Sequence, residues 1–105
     1  MTGYSAAKAA VINFSRAAAA EGAASNIRVN VVIPNVVETP AIAELITNEK
    51  SRRAAEKLIP MGRIGKPEEL ASAILFLVSD EASYVTGAAL PVDGGRSAVL
   101  ITALE

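Results

Sequence analysis

Three side chains able to move protons or attack carbonyls fall within five consecutive residues near the start of the chain, Tyr4-Ser5-Ala6-Ala7-Lys8. Tyr4 and Lys8 are four residues apart, so on a helix they share a face, one turn from each other. A phenol is a poor acid or base near neutral pH because its ordinary pKa is about 10. A neighbouring ammonium group favours the phenolate, and the positive end of a helix acts in the same direction. Such a pair is a proton-transfer device. An ordinary surface tyrosine and lysine also meet this spacing, so the pair by itself does not single out a function. Ser5 and Lys8 make an S-x-x-K pair in the same segment, in which the lysine could activate the serine, Tyr4 could serve as a further base, and helix N-terminal amides could hold an oxyanion.

Composition narrows the chemistry. The 105 residues contain no histidine and no cysteine. The commonest general base and metal ligand is therefore missing, as are thiol catalysis and a disulfide frame, and no metal site is expected. The net charge is −1, from ten basic and eleven acidic residues with no basic cluster, which argues against nucleic acid or an anionic membrane surface as a partner. No apolar run reaches the roughly 18 residues of a membrane span, and the N-terminus does not resemble a signal peptide, so a cytoplasmic protein is expected. Half of the residues are hydrophobic, 51%, but only 4% are aromatic. That is a globular composition with few large anchors, and self-association would compensate.

The elements that must position the chemistry follow from periodicity and punctuation. Residues 4–24 read as a helix, with Ala7, Val11, Phe14 and Ala18 in register and a stop at Gly22 and Ser25-Asn26. Residues 27–33 read as a β-branched strand, ended by Pro34. Residues 35–66 are broken by Pro40, Pro60, Gly62 and Gly65, with room for short helices at about 41–47 and 49–58, as in a flap. Residues 67–79 form a second helix, opened by Pro67, Glu68 and Glu69 and so apolar that burial on more than one side is expected. Residues 88–92 make a short strand, Asp93-Gly94-Gly95 a turn, and 97–104 a last strand or a tail. A strand–helix–strand unit implies parallel neighbours. Two strands do not make a stable sheet, so other strands are missing or a second copy supplies them. Arg16 and Arg28 are expected to be helix-face and strand-edge charges, Tyr84 to pack near the start of the last strand, and Lys50–Arg53 with Glu49 and Glu56 to form a solvated face. Asn13 and Asn30 are given no role.

The order of these blocks carries a resemblance. Tyr4-Ser-Ala-Ala-Lys8 is similar to the active-site helix of the short-chain dehydrogenases/reductases. Ile27-Arg-Val-Asn-Val-Val-Ile-Pro34 resembles the strand after that helix, and Glu38-Thr39-Pro40 resembles the stretch where a threonine meets the nicotinamide amide. Gly62-Arg-Ile-Gly-Lys-Pro-Glu-Glu69 resembles the approach to the penultimate helix, and Ser83-Tyr-Val-Thr-Gly87 with Leu90-Pro-Val-Asp-Gly-Gly95 the closing strand. Five blocks in the family's order are far more specific than one Tyr-x-x-x-Lys. The resemblance implies an α/β fold: the C-terminal part of a Rossmann-like domain over residues 1–95, with two parallel strands and two long helices, of the 3-oxoacyl-carrier-protein reductase kind. It implies Tyr4 as acid/base, Lys8 as its partner and a ligand of the cofactor ribose, and Pro34, Asn35 and Thr39 against NAD(P). Residues 96–105 are left as a tail whose final Leu104-Glu105 has the look of a cloning remnant.

The family has Pro-Gly where this chain has Pro34-Asn35, and a glycine there tolerates backbone that asparagine tolerates only partly. The glycine-rich turn that holds the pyrophosphate is absent, so these residues alone are not expected to hold the cofactor. Three functions remain open: an NAD(P)-dependent oxidoreductase; a small esterase using Ser5, Lys8 and Tyr4; and a non-catalytic remnant or assembly module that completes a separate first-half chain. A homo-oligomer is expected in each case, because both long helices are too apolar for a monomer's surface and the resembled family places them at subunit interfaces.

Overall fold

The computed structural model describes residues 2–98. In chain order it holds α1 (Thr2–Gly22), β1 (Val31–Pro34), α2 (Pro40–Leu45), α3 (Glu49–Lys57), α4 (Pro67–Val78) and β2 (Ala89–Val92), with single 3-10 turns at Ala23–Ser25, Asp80–Ala82 and Arg96–Ala98. β1 and β2 pair in a two-stranded sheet. Their flanking hydrogen bonds ascend together along both segments, Gly87 N to Val29 O and then Val31 N to Ala88 O, as parallel neighbours require. The α/β reading and the two long helices are thus realised. Residues 99–105, on which the last-strand and tail expectations mostly fall, lie outside the described residues.

The chain divides into two compact units, one built from the residues through Val32 and from Ile74–Leu90, the other from Ile33–Ala73 and the residues from Pro91 onward. The first unit begins with α1, where eight of the 21 residues are alanine, the side chain that costs a helix least. Ser15 turns its hydroxyl back onto the Val11 carbonyl at 2.7 Å, a bond that competes with the main chain without ending the helix. The end comes at Gly22, where an added Cβ would sit 3.2 Å from both the Cβ and the carbonyl oxygen of Ile27. Asn26 then takes a left-handed conformation, φ 57°, and donates its N–H to the Ala23 carbonyl, so the chain can reverse.

The strand is shorter than periodicity suggests. It starts at Val31 rather than at residue 27, because the segment before it is held largely by side chains. Val29 N donates to Thr86 Oγ1 at 3.1 Å, and Asn30 bonds the facing segment at both ends of its amide, Nδ2 to Val85 O at 3.0 Å and Ala88 N to Oδ1 at 3.0 Å. Arg28 is not an edge charge. Its guanidinium donates to the carbonyls of Leu77 at 2.7 Å, Val85 at 3.1 Å and Ser79 at 3.2 Å, where the last carbonyls of α4 have no helical donor.

Two burial expectations fail. Leu77 is buried, but Ile74, Leu75, Phe76 and Val78 of α4 are 43–70% exposed, so one stripe of that helix is covered and the rest of its apolar surface is open. Tyr84 does not pack against the strand but projects fully from the loop after Ala82. In this unit the buried side chains are Ala19, Leu77 and Ala82. Phe14 and Val11 on α1 remain exposed.

The second unit joins the flap to the turn after β2. Val37 and Gly65 form an isolated parallel bridge, with Glu38 N donating to Gly65 O and Gly65 N to Val36 O. The two short helices fall almost where punctuation puts them, each opened by a side-chain cap: Thr39 Oγ1 accepts from Ile42 N, and Asn48 Oδ1 accepts from Ser51 N. The charged face of α3 is solvated as expected, with Arg53–Glu49 at 2.7 Å and Arg52–Glu56 at 3.3 Å, and Arg52 also reaches Glu38 at 3.3 Å. Val37, Ile59 and Ile64 are buried. In the closing turn Gly94 and Gly95 both have positive φ, and a Cβ on Gly94 would lie 2.6 Å from Ile59 Cγ2. Asp93 accepts from Gly95 N and Ser97 N, and the hydrogen bonds with Ser97 chiefly hold its carboxyl below the usual carboxylate range.

The start of α4 is clasped by an ion pair. Arg63 meets Glu69 with two nitrogens on two oxygens, each at 2.7 Å, and Lys66 N donates to the same carboxylate at 3.0 Å. The Arg63 hydrogen bonds first, and the Lys66 amide second, hold the Glu69 carboxyl down at about 2. A carboxylate whose folded pKa is depressed stabilises fully above its unfolded value, 4.5 for a glutamate here, and loses that contribution as pH falls toward 2. The first turn of α4 is therefore expected to loosen between pH 4.5 and 2 in the native protein and to do so much less in Glu69→Gln. Amide exchange of residues 66–70 across that range measures it. An identical profile in the two proteins would dismiss the clasp.

Candidate active site

α1 begins with Thr2 and Gly3 and runs unbroken through Tyr4, Ser5 and Lys8. All three side chains are exposed. The four-residue spacing does what helical geometry dictates: Lys8 Nζ stands 5.3 Å from the centroid of the Tyr4 ring. An ammonium at that range over an aromatic face is attracted by the ring's quadrupole, which holds the pair together. Tyr4 is 62% exposed, so an acid and a fixed cation face the same open space and one small ligand can meet both.

Ser5 takes no part in this. Ser5 and Lys8, three apart, share a helix face, but no side-chain hydrogen bond joins Ser5 to Lys8 or Tyr4 among the described residues, and adjacent Tyr4 and Ser5 do not face each other. A serine nucleophile needs its base within hydrogen-bond reach, and the geometry gives the esterase reading no support.

Pro34, Asn35 and Thr39 belong to the second unit. Together with Val37, Ile42 and Leu70 they line a hollow of about 300 Å³. Pro34 is the last residue of β1, and its missing N–H suits a strand end. Thr39 has a task that the sequence reading did not assign, because its oxygen accepts the Ile42 N–H at 3.4 Å and opens α2. The hydroxyl proton is not used by that bond and can be given to a ligand. Asn35 does not take up the glycine-like backbone, since Asn26 is the non-glycine residue with positive φ among the described residues. An apolar hollow with one hydroxyl donor fits the face and amide of a nicotinamide ring. The open ammonium of Lys8 fits a hydroxyl-bearing or anionic ligand.

Among the described residues no group of three or more acidic side chains is placed to hold a metal ion, and no helix is long and apolar enough to cross a membrane. Sequence reasoning missed Arg28 and Asn30, treated there as an edge charge and a bystander. Their signal was the alternation in Ile27-Arg28-Val29-Asn30-Val31, where two polar side chains interrupt an otherwise apolar strand.

Comparison with known proteins places the chain by family and fold. Residues 1–97 match a family model described as enoyl-(acyl carrier protein) reductase. The chain is 53% identical over 94 residues to a 3-oxoacyl-acyl-carrier-protein reductase of Thermotoga maritima, covering 90% of this chain and 37% of that protein. It is also 53% identical over 96 residues to a cis-4-hydroxycyclohexanecarboxylate dehydrogenase of Sinomonas cyclohexanicum, covering 91% and 38%. Among solved structures, a 4-hydroxyisoleucine dehydrogenase mutant in complex with NADH and succinate superposes with a TM-score of 0.86 at 32% identity, over 91% of this chain and 40% of that one. A short-chain dehydrogenase family protein from Francisella tularensis superposes at 0.81 with 31% identity, over 91% and 43%. The chain thus spans well under half the length of the curated relatives it matches.

Proposed function

The chain belongs to the short-chain dehydrogenase/reductase family, and on that premise we propose that the whole protein is a cytoplasmic NAD(P)-dependent oxidoreductase that interconverts an alcohol and a carbonyl compound. The observation that carries the proposal is the placement of Lys8 Nζ over the Tyr4 ring on an open helix face. When bound, the nicotinamide supplies or accepts the hydride. Tyr4 gives its phenolic proton to the carbonyl oxygen in reduction and takes one from the hydroxyl in oxidation. Lys8 offsets the negative charge left on the phenol oxygen and donates to the ribose hydroxyls. Thr39 donates its free hydroxyl proton to the nicotinamide amide, while Pro34 and Asn35 wall the hollow beside it. The sequence contains no G-x-G-x-x-G turn, so holding the pyrophosphate falls to residues outside these 105.

The similar proteins named for 3-oxoacyl and cyclohexanecarboxylate substrates point to a secondary alcohol and its ketone. We also propose that the protein is a homo-oligomer. Phe14 at 74%, Val78 at 70% and Leu75 at 68% exposure are apolar surface that a second copy or the remainder of the fold would cover. The test is a titration of the whole protein with NADH and NADPH, followed by ketone-dependent consumption of the cofactor with a 3-oxoacyl thioester and a cyclic ketone. Binding and turnover are expected, with Ser5→Ala as active as the native protein. No binding at millimolar cofactor would overturn the proposal.

A further inference from the structure

We propose that Asn30 is the register lock of the sheet and, resting on the function proposed above, a positioning residue for the cofactor end of strand β1. The backbone ladder skips a step beside it. Gly87 N pairs with Val29 O and Val31 N with Ala88 O, which leaves the Ala88 N–H and the Val85 carbonyl without backbone partners across the gap. The side-chain amide of Asn30 reaches both places, accepting from Ala88 N at 3.0 Å and donating at 3.0 Å to Val85 O, a carbonyl it shares with Arg28 at 3.1 Å. A side-chain amide presents a donor and an acceptor on one planar group and so can meet a carbonyl and an N–H together.

A strand with β-branched apolar residues at successive positions has little in its pattern to forbid a slip, because a shift exchanges one such side chain for another. Val29, Val31, Val32 and Ile33 are of that kind. A polar side chain with two obligatory partners penalises every register but one, since a slipped pairing would leave half-buried polar groups unmatched. Pro34, the last residue of β1, and Asn35, just after it, come four and five residues later in the chain. One residue of slip moves the chain by about 3.3 Å along its axis and so displaces both from the nicotinamide. Asn30 acts on binding through the backbone and touches no reacting atom.

Two measurements on the whole protein test this separately. Amide exchange needs no activity: the Gly87, Ala88 and Val31 N–H groups are expected to be protected in the native protein and to exchange at least tenfold faster in Asn30→Ala. In Asn30→Asp, which keeps the acceptor and loses the donor, Ala88 should regain part of its protection. Unchanged protection in Asn30→Ala would overturn the lock. Steady-state kinetics then test the coupling: KM for the cofactor should rise about tenfold in Asn30→Ala while kcat stays within threefold, with Asn30→Asp between. A lower kcat at unchanged KM would mean only a smaller folded fraction and would overturn the positioning role. A protein with no dehydrogenase activity would defeat the proposed function, and the exchange result would still decide the lock.

Discussion

Tyr4→Phe in the whole protein is expected to lower turnover by about 10²–10⁴-fold, the usual contribution of a positioned acid–base group, with the cofactor dissociation constant little changed. The substitution removes one oxygen and keeps the ring on which Lys8 rests at 5.3 Å. Tyr4 is 62% exposed, so α1 and the thermal midpoint should be preserved. A loss of kcat with intact binding and folding is therefore assignable to the missing proton. If Tyr4→Phe kept even a third of native activity, the first turns of α1 would not be where the proton moves.

The largest stability effect is expected at Arg28. Arg28→Ala removes donors from the carbonyls of Leu77, Ser79 and Val85 in one step. These link the segment before β1 to the end of α4 and to the loop before β2, where the helix dipole already favours a cation. Hydrogen bonds from a charged donor contribute about 1.5–3 kcal/mol each at most and are not additive, so a loss of about 2–4 kcal/mol is expected. Against total stabilities of about 5–15 kcal/mol this is large, and it should lower the melting midpoint by about 10 °C or more in a small domain. Arg28→Lys should recover little, because a single ammonium cannot span three carbonyls fixed by the guanidinium's fork. Urea unfolding of the three proteins decides it, and a loss below about 0.5 kcal/mol, the scale of an ordinary surface substitution, would show the clamp to be incidental.

Local signals were legible in the sequence where one element determines them. The alanine content of α1, the stop at Gly22 and Asn26, Pro67 with two glutamates at the start of α4, and the turn at Asp93-Gly94-Gly95 each follow from backbone chemistry within a few residues. The Tyr4–Lys8 pairing was legible for the same reason, since helical spacing fixes it. What could not be read depends on partners distant in sequence. Arg28 and Asn30 meet carbonyls 49 to 57 residues away, and no periodicity announces that a polar side chain will replace a ladder bond. The shortened strand has the same origin. Thr39 was placed by resemblance alone, although Thr39-Pro40 before an apolar run is itself a capping signature. The apolar composition of α4 predicted burial, but composition states how much surface wants covering and not whether this stretch of chain covers it.

The burial pattern has a thermodynamic corollary. Two of the six buried apolar residues are alanines, and no large side chain is fully enclosed among the described residues. Unfolding of this chain by itself, without the second copy or further fold that would cover its exposed apolar surface, would then add little apolar hydration beyond what is already present, so its heat-capacity increment per residue should be small and its free-energy curve flat with temperature. In such a protein, directional clamps like Arg28 and the Arg63–Glu69 clasp, rather than oil-like burial, set where the curve crosses zero.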